Sequence, residues 1–436
     1  MRRKPLQDQA QKRIHERLRV ASACLLITAL LFPAAQISEA YSVLSHEALV
    51  DAAWEYAIRP ALLERFPNTS AEDLKRARAY AYGGCTIQDI GYYPFGSLFF
   101  SDLAHYVRAG DFIEALIRDS RDVDEYAFGL AALAHYAGDN NGHRYAVNRA
   151  VAVLYPKLRR KYGETVTYDE DPVAHLKTEF GFDVLAIAKG QYASSNFHDF
   201  VGFEVPGPLL EKAVQETYAL DLKALFVNYD LAIGSYRHGL SRVVPEMTEV
   251  AWRLQKKEIE KEHPGLTKNQ FLYRLSRTNY EKEWGNKYQR PTFKVRLLTF
   301  LLRIVPKIGP LRALDVKMPT QQTEQMFVDS FGDALKEYEA ALGQQRRTPR
   351  EKLANINLDT GTVTALGDYP LADQTYRELL DRLAKQQFAG VGPELRRTLL
   401  TYFENKPEPA DLVERKVDWD TTEKEFEQLK AFAPQE

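Results

Sequence analysis

The stretch VDEYAFGLAALAHYAGDNNGH, residues 123–143, sets the reading of the rest of the chain. Its apolar residues recur at helical spacing, which predicts a helix over 123–137. His135 and Asp139 stand four residues apart, so both lie on one helix face with Cβ atoms about 5–6 Å apart. Two such donors on one face can grip a single metal ion. His143 follows Asp139 by one further turn, across Asn140, Asn141 and Gly142, residues that readily break a helix. Taken alone, a pair of this kind is more often a surface ion pair or a capped core histidine.

The surrounding sequence repeats the pattern. HLKTE places His175 and Glu179 at the same spacing, and Asp89 precedes His105 by sixteen residues. Five of the nine histidines fall between 46 and 175. Imidazole and carboxylate suit zinc without any thiolate. Nothing competes with this set. The chain has no G-x-S-x-G elbow, no Gly-rich phosphate loop, no dinucleotide fingerprint and no Cys/His dyad.

From 46 to about 240 the chain reads as helix after helix, with little strand-like alternation, so an all-α fold is expected. Ser45 reads as an N-cap before HEALVDAAWEYAI. Ser70-Ala71-Glu72-Asp73 opens a helix with a capping-box pattern. Further helical runs are expected at 99–118, 144–160, 171–191 and 207–238. Residues 251–317 carry sixteen Lys/Arg against six Asp/Glu, a local +10. They read as a helical extension with a solvated basic face, or as a peripheral contact with an anionic surface. After a linker at roughly 343–353, NINLDTGTVTALG (355–367) reads as a small β-hairpin around Asp359-Thr360-Gly361, followed by helices. The expected division is a leader (1–40), a helical metal domain (41–240), a basic helical extension (241–345) and a C-terminal hairpin-plus-helix region (346–436).

Across 436 residues, 45% hydrophobic content supports a sizeable core and excludes wholesale disorder. Two cysteines exclude a disulfide framework. The net charge of -2 conceals a leader of +4 and a remainder of about -6. Within the leader, basic residues precede the apolar run VASACLLITALLFPAA and the small residues at Ser38 and Ala40. This is the pattern of a secretory signal cut after Ala40. Sixteen apolar residues fall short of the ~20 that span a bilayer. An uncleaved N-terminal membrane anchor is the alternative. Cleavage removes Cys24 and leaves Cys85 as a lone thiol.

Order and spacing together resemble the zinc-dependent phospholipase C superfamily, which includes the fungal single-strand nucleases. The resemblance covers about 41–200. It implies a secreted, all-helical protein holding three zinc ions, with the α-amino group and carbonyl of the mature first residue as ligands. Here that residue is Tyr41, with His46 five positions on. Carried over, the resemblance implies one site of Asp89, His105, His135 and Asp139. A second would hold Tyr41, His46 and a bridging Asp139, and a third His143, His175 and Glu179. Asp89 and Asp139 become the catalytic carboxylates. The family usually has five residues between the helix Asp and the next His; this chain has three.

The chemistry implied is phosphodiester hydrolysis, because zinc lowers the pKa of a water toward ~7 and neutralises phosphoryl charge. The leading expectation is a phospholipase C acting on phospholipid head groups. Glu179 favours that branch, whereas the Tyr41–His46 spacing favours a nuclease on single-stranded nucleic acid. A non-catalytic, zinc-stapled binding module of the cell envelope is the reading from another class. Tyr92, Tyr93, Phe95, Phe99 and Phe100 line a lipid or base pocket, or else belong to the core. His198 with Asp199 stands near the cluster or forms a loop ion pair. His238 and His263 read as surface residues.

Overall fold

The computed structural model describes residues 43–188, 203–238, 317–345, 351–404 and 419–433. The leader, Tyr41, His198 and Asp199, His263 and nearly all of 251–317 lie outside these residues. The described residues all belong to one compact unit, 37–436. They are helical, and the only β-pairing among them is a single antiparallel bridge, Asn357 with Thr362. The expected all-α fold is therefore observed, with the expected hairpin reduced to a turn closed by one bridge.

The first helix, α1, runs from Val43 to Ala53 and passes through a π-helical turn, Trp54–Ile58, into α2, Arg59–Arg65. Helix α3 spans Ala71–Gly84. Its N-terminus is held by the capping box read from the sequence. Ser70 Oγ accepts from the Asp73 N–H at 3.1 Å, and Asp73 Oδ2 accepts from the Ser70 N–H at 3.2 Å. Ser45 does not cap α1, because the helix begins two residues earlier. Instead its hydroxyl donates to the buried Asp183 carboxylate. Asp183 also accepts from the Leu44 N–H at 3.1 Å, satisfying one of the first-turn donors that a helix leaves open.

The expected run 99–118 is two helices, α4 (Leu98–Tyr106) and α5 (Ala109–Asp119). The chain turns between them at Arg108, which adopts φ 52°. The guanidinium of Arg108 holds that turn through Asp111 and the Thr217 carbonyl at 2.7 Å. Helix α6, Val123–Asn141, is the central element. Ala127, Leu130, Ala131, Ala134 and Ala137 are all fully buried, so neighbours surround it. It continues through a π-helical stretch, Gly142–Val147, into α7, Asn148–Leu154. Proline at 156 then ends the run, because the residue before proline is pushed out of helical geometry. Helix α8, Pro156–Tyr162, leads to α9, Pro172–Ala188. The expected run 207–238 divides into α10 (Gly207–Tyr218), a short α11 (Leu222–Leu225) and α12 (Tyr229–His238).

Helix α13, Gln321–Gln345, lies against α6. The Tyr338 hydroxyl donates to the Leu130 carbonyl at 3.0 Å. Glu337 accepts from the side chains of Asn140 at 2.9 Å and Asn141 at 2.6 Å. Helices α14 (Pro370–Lys385), α15 (Pro393–Glu404) and α16 (Trp419–Ala431) complete the fold. Residues of 44–236, 327–342 and 358–429 share one hydrophobic core. No helix of the described residues is long and apolar enough to cross a membrane.

Small residues allow α3 and α6 to approach closely, which in turn places a group of the site. A Cβ on Gly84 would lie 2.1 Å from the Phe128 carbonyl oxygen. Gly84→Ala must therefore push two backbones apart, and about 3 kcal/mol or more of stability should be lost. Denaturant unfolding measures this. An unchanged midpoint would mean the helices do not pack as described.

Candidate metal centre

The eight histidine and carboxylate residues singled out from 46 to 179 converge on one buried region. Helix α1 carries His46, a 3-10 turn at Ile87–Tyr92 carries Asp89, and α4 carries His105. Helix α6 carries His135 and Asp139, the π stretch His143, and α9 His175 and Glu179. His105 and His143 have 4% and 5% exposure and the others 0–2%, so the edge facing solvent lies at those two imidazoles.

His105 Nε2, His135 Nε2 and Asp139 Oδ2 form a nearly equilateral triangle. The nitrogens lie 3.2 Å apart, and the oxygen is 3.2 Å from His105 and 3.1 Å from His135. Asp89 Oδ1 lies 3.4 Å from His105 Nε2. Tetrahedral zinc with bonds of 2.0–2.1 Å has ligand–ligand edges of about 3.3 Å. The backbone fixes which nitrogens face inward. Nδ1 of His105 donates to the Ser101 carbonyl at 2.7 Å, and Nδ1 of His135 to that of Cys85 at 3.0 Å. A carbonyl on the far nitrogen leaves Nε2 with its lone pair toward the cluster. Cys85, the lone thiol left once the leader is set aside, is fully buried, and burial pushes its thiol up.

Asp139 turns its second oxygen the other way. Oδ1 lies 3.3 Å from His46 Nε2, while Asp89 Oδ2 is 4.0 Å from that nitrogen. The His46 ring stacks on His135 with centroids 4.1 Å apart. Gly138 makes room for it, since a Cβ there would stand 3.0 Å from the imidazole. Tyr41, the remaining member expected at this position, lies outside the described residues.

His143 joins the third group. The α-helix runs unbroken through Asn140 and Asn141, and the π-helical stretch that begins at Gly142 continues it past His143. His143 stacks against His175 with centroids 4.9 Å apart, Nδ1 lying 3.4 Å from His175 Nε2. Glu179 Oε1 lies 2.5 Å from Nδ1 of His175.

Two residues that the sequence pattern did not single out also reach the centre, and a third supports α1, which carries His46. Asp359 arrives from the turn at 357–362, with Oδ1 at 2.9 Å from His143 Nδ1. Asn148 Oδ1 lies 2.7 Å from His175 Nε2. Asp183 anchors the start of α1. Asp183 had a signal, because His175, Glu179 and Asp183 repeat every four residues on one face of α9. Asp359 had none beyond its turn motif. Of the aromatic set, Tyr92 is buried beside the centre, its ring 6.1 Å from His105. Tyr93, Phe99 and Phe100 belong to the core, and Phe95 is exposed.

Electrostatics fit a site that takes cations. Burial lowers the pKa of His46, helped by the neighbouring His135. Burial and His143 lower that of His175 to about 3. Burial also works against charge on His105, but Asp139 and Asp89 outweigh it and hold His105 well above its usual value. Burial opposes ionised Asp139 too, yet His135, His105 and His46 keep it well below the usual carboxylate range. Both oxygens of Asp89 and of Asp139 are buried with no hydrogen-bond donor aligned on them. Buried carboxylates normally find such donors, so these four oxygens fit a metal. Three groups among the described residues can hold an ion: His46/Asp89/His135, His105/His135/Asp139 and His143/His175/Glu179.

The class defined by this fold and site is an all-helical protein with clustered groups able to hold metal gathered around its central helix. A family model for zinc dependent phospholipase C matches residues 45–226. That match supports the zinc-dependent phospholipase C family for this segment and, with it, a zinc phospholipase-type hydrolase. No curated protein and no solved structure matches the chain.

Proposed function

We propose that the protein is a zinc-dependent phospholipase C that hydrolyses the head-group phosphodiester of phospholipids outside the cytoplasm, after its leader 1–40 is removed. The observation that carries the proposal is Asp139, whose two oxygens face different imidazole sets, His105/His135 on one side and His46 on the other. That is the disposition of a carboxylate bridging two metal ions. Three zinc ions would be held by Asp89, His105, His135 and Asp139; by Tyr41, His46 and Asp139; and by His143 and His175 with a carboxylate.

Bound zinc would supply a water acidified to near neutral pH and positive charge for the phosphoryl oxygens. The residues supply the geometry. The Ser101 and Cys85 carbonyls hold the two imidazoles in the ligating tautomer. Asp89 and Asp139 provide the negative charge that makes a cationic cluster tolerable in a buried site. The edge at His105 and His143 is where a phosphodiester would approach.

The purified mature protein should hold about three zinc ions by mass spectrometry. Its N-terminal sequence should read Tyr-Ser-Val-Leu-Ser. It should also release phosphocholine from phosphatidylcholine vesicles faster than it degrades single-stranded DNA. The opposite preference would make it a nuclease, and zinc without either activity would make it a binding module. Zinc-free, stably folded protein would end the reading altogether.

A further inference from the structure

The carboxylate of the third metal position need not come from the family segment at all. Asp359 lies 133 residues beyond its end at 226 and is fully buried at the centre. Its two oxygens have separate tasks. Oδ2 accepts from the Tyr369 hydroxyl at 2.6 Å and from the Tyr168 N–H at 3.2 Å. Oδ1 has no aligned hydrogen-bond donor. It lies 2.9 Å from His143 Nδ1 and 3.9 Å from His175 Nε2. With the 3.4 Å between those nitrogens, three donor atoms face one another at close to the tetrahedral edge of about 3.3 Å.

Glu179 stands differently. Its contact with His175 is at 2.5 Å to Nδ1, the nitrogen on the opposite side of the ring from His143 and Asp359. A carboxylate on the far nitrogen of a ligating histidine orients the ring and raises its basicity. The turn that carries Asp359 is tied to the centre from two sides. The Leu358 N–H donates to the His105 carbonyl at 3.1 Å, and Asn148 Nδ2 donates to the Asp359 carbonyl at 3.0 Å. Asn148 Oδ1, 2.7 Å from His175 Nε2, lines the same space.

We propose that Asp359 is the carboxylate ligand of the third metal ion, and that Glu179 is the positioning residue behind His175. The C-terminal region then completes the metal centre. This rests on the zinc reading above. The test uses full-length mature protein. Wild type should bind three zinc ions, Asp359→Asn two, and Glu179→Gln three, with the third held about 10–100-fold more weakly. In cobalt(II)-loaded protein, Asp359→Cys should gain a thiolate-to-cobalt absorption band that wild type and Glu179→Cys lack. The band reports coordination even if Asp359→Asn folds poorly. Three tightly held ions in Asp359→Asn, or the band appearing in Glu179→Cys alone, overturns the assignment and leaves the zinc reading standing. No zinc in wild type overturns both.

Discussion

Asp139→Asn should strip the protein of two of the three zinc ions proposed for it and lower the proposed phosphodiester hydrolysis by on the order of 10³-fold or more. The size follows from position. Asp139 lies within 3.3 Å of His46, His105 and His135, and 3.9 Å from His143. No other carboxylate in the centre approaches as many imidazoles among the described residues. Asparagine keeps the shape but removes the charge and turns one oxygen into a donor. That donor would point at a metal or at an imidazole lone pair. Asp89→Asn should cost less, because Asp89 sits at 3.4–4.0 Å from ring nitrogens of the same three histidines. Zinc content by mass spectrometry and turnover on phosphatidylcholine should fall together. Full zinc content in Asp139→Asn would sink the bridging role. Full zinc with no activity would place Asp139 in the chemistry alone.

The second large effect is on folding. Removing zinc with a chelator should lower stability by about 4 kcal/mol for each site that had been loaded at a thousand times its dissociation constant. It should also leave a pH dependence that the loaded protein lacks. His46 and His175 have lowered values in the fold. The unfolded chain therefore binds more protons than the folded one below about pH 6.5, and stability falls on acidification through that window. His105 and His135 have raised values. Their contribution is fully present below about pH 6.5 and is lost as pH rises through their folded values. Chelated protein should thus be most stable near pH 6.5, each uncompensated histidine changing the slope by about 1.4 kcal/mol per pH unit. With zinc the alkaline loss should vanish, because the metal takes the place of the protons that compete for the same nitrogens. Urea titrations from about pH 5 to 9, with and without zinc, measure both limbs. A monotonic curve for the chelated protein would contradict the charge pattern.

Much of the centre was legible because its donors lie on helices at short sequence range. His135 with Asp139 and His175 with Glu179 share helix faces, whatever those helices pack against. The all-α class follows equally from the 3.6-residue periodicity and from caps such as Ser70 with Asp73. Helix ends were less legible. Ser45 looks like a cap in isolation, but a carboxylate 138 residues away supplies the acceptor and lets α1 start earlier. Arg108 breaks 99–118 because its guanidinium finds the Thr217 carbonyl on another helix.

By itself, the sequence determined the helical class, the eight convergent donors and the zinc chemistry they suit, since helical spacing and ligand type are local properties. Only the tertiary structure decided how they group. It showed that Asp139 faces two ways, that His143 stacks on His175 from a helix that runs on unbroken through Asn140 and Asn141, and that Asp359 joins them from the far end of the chain. Those facts depend on which surfaces pack together over 200 residues of separation. No local rule encodes such packing, because burial and close approach arise only when the whole core closes.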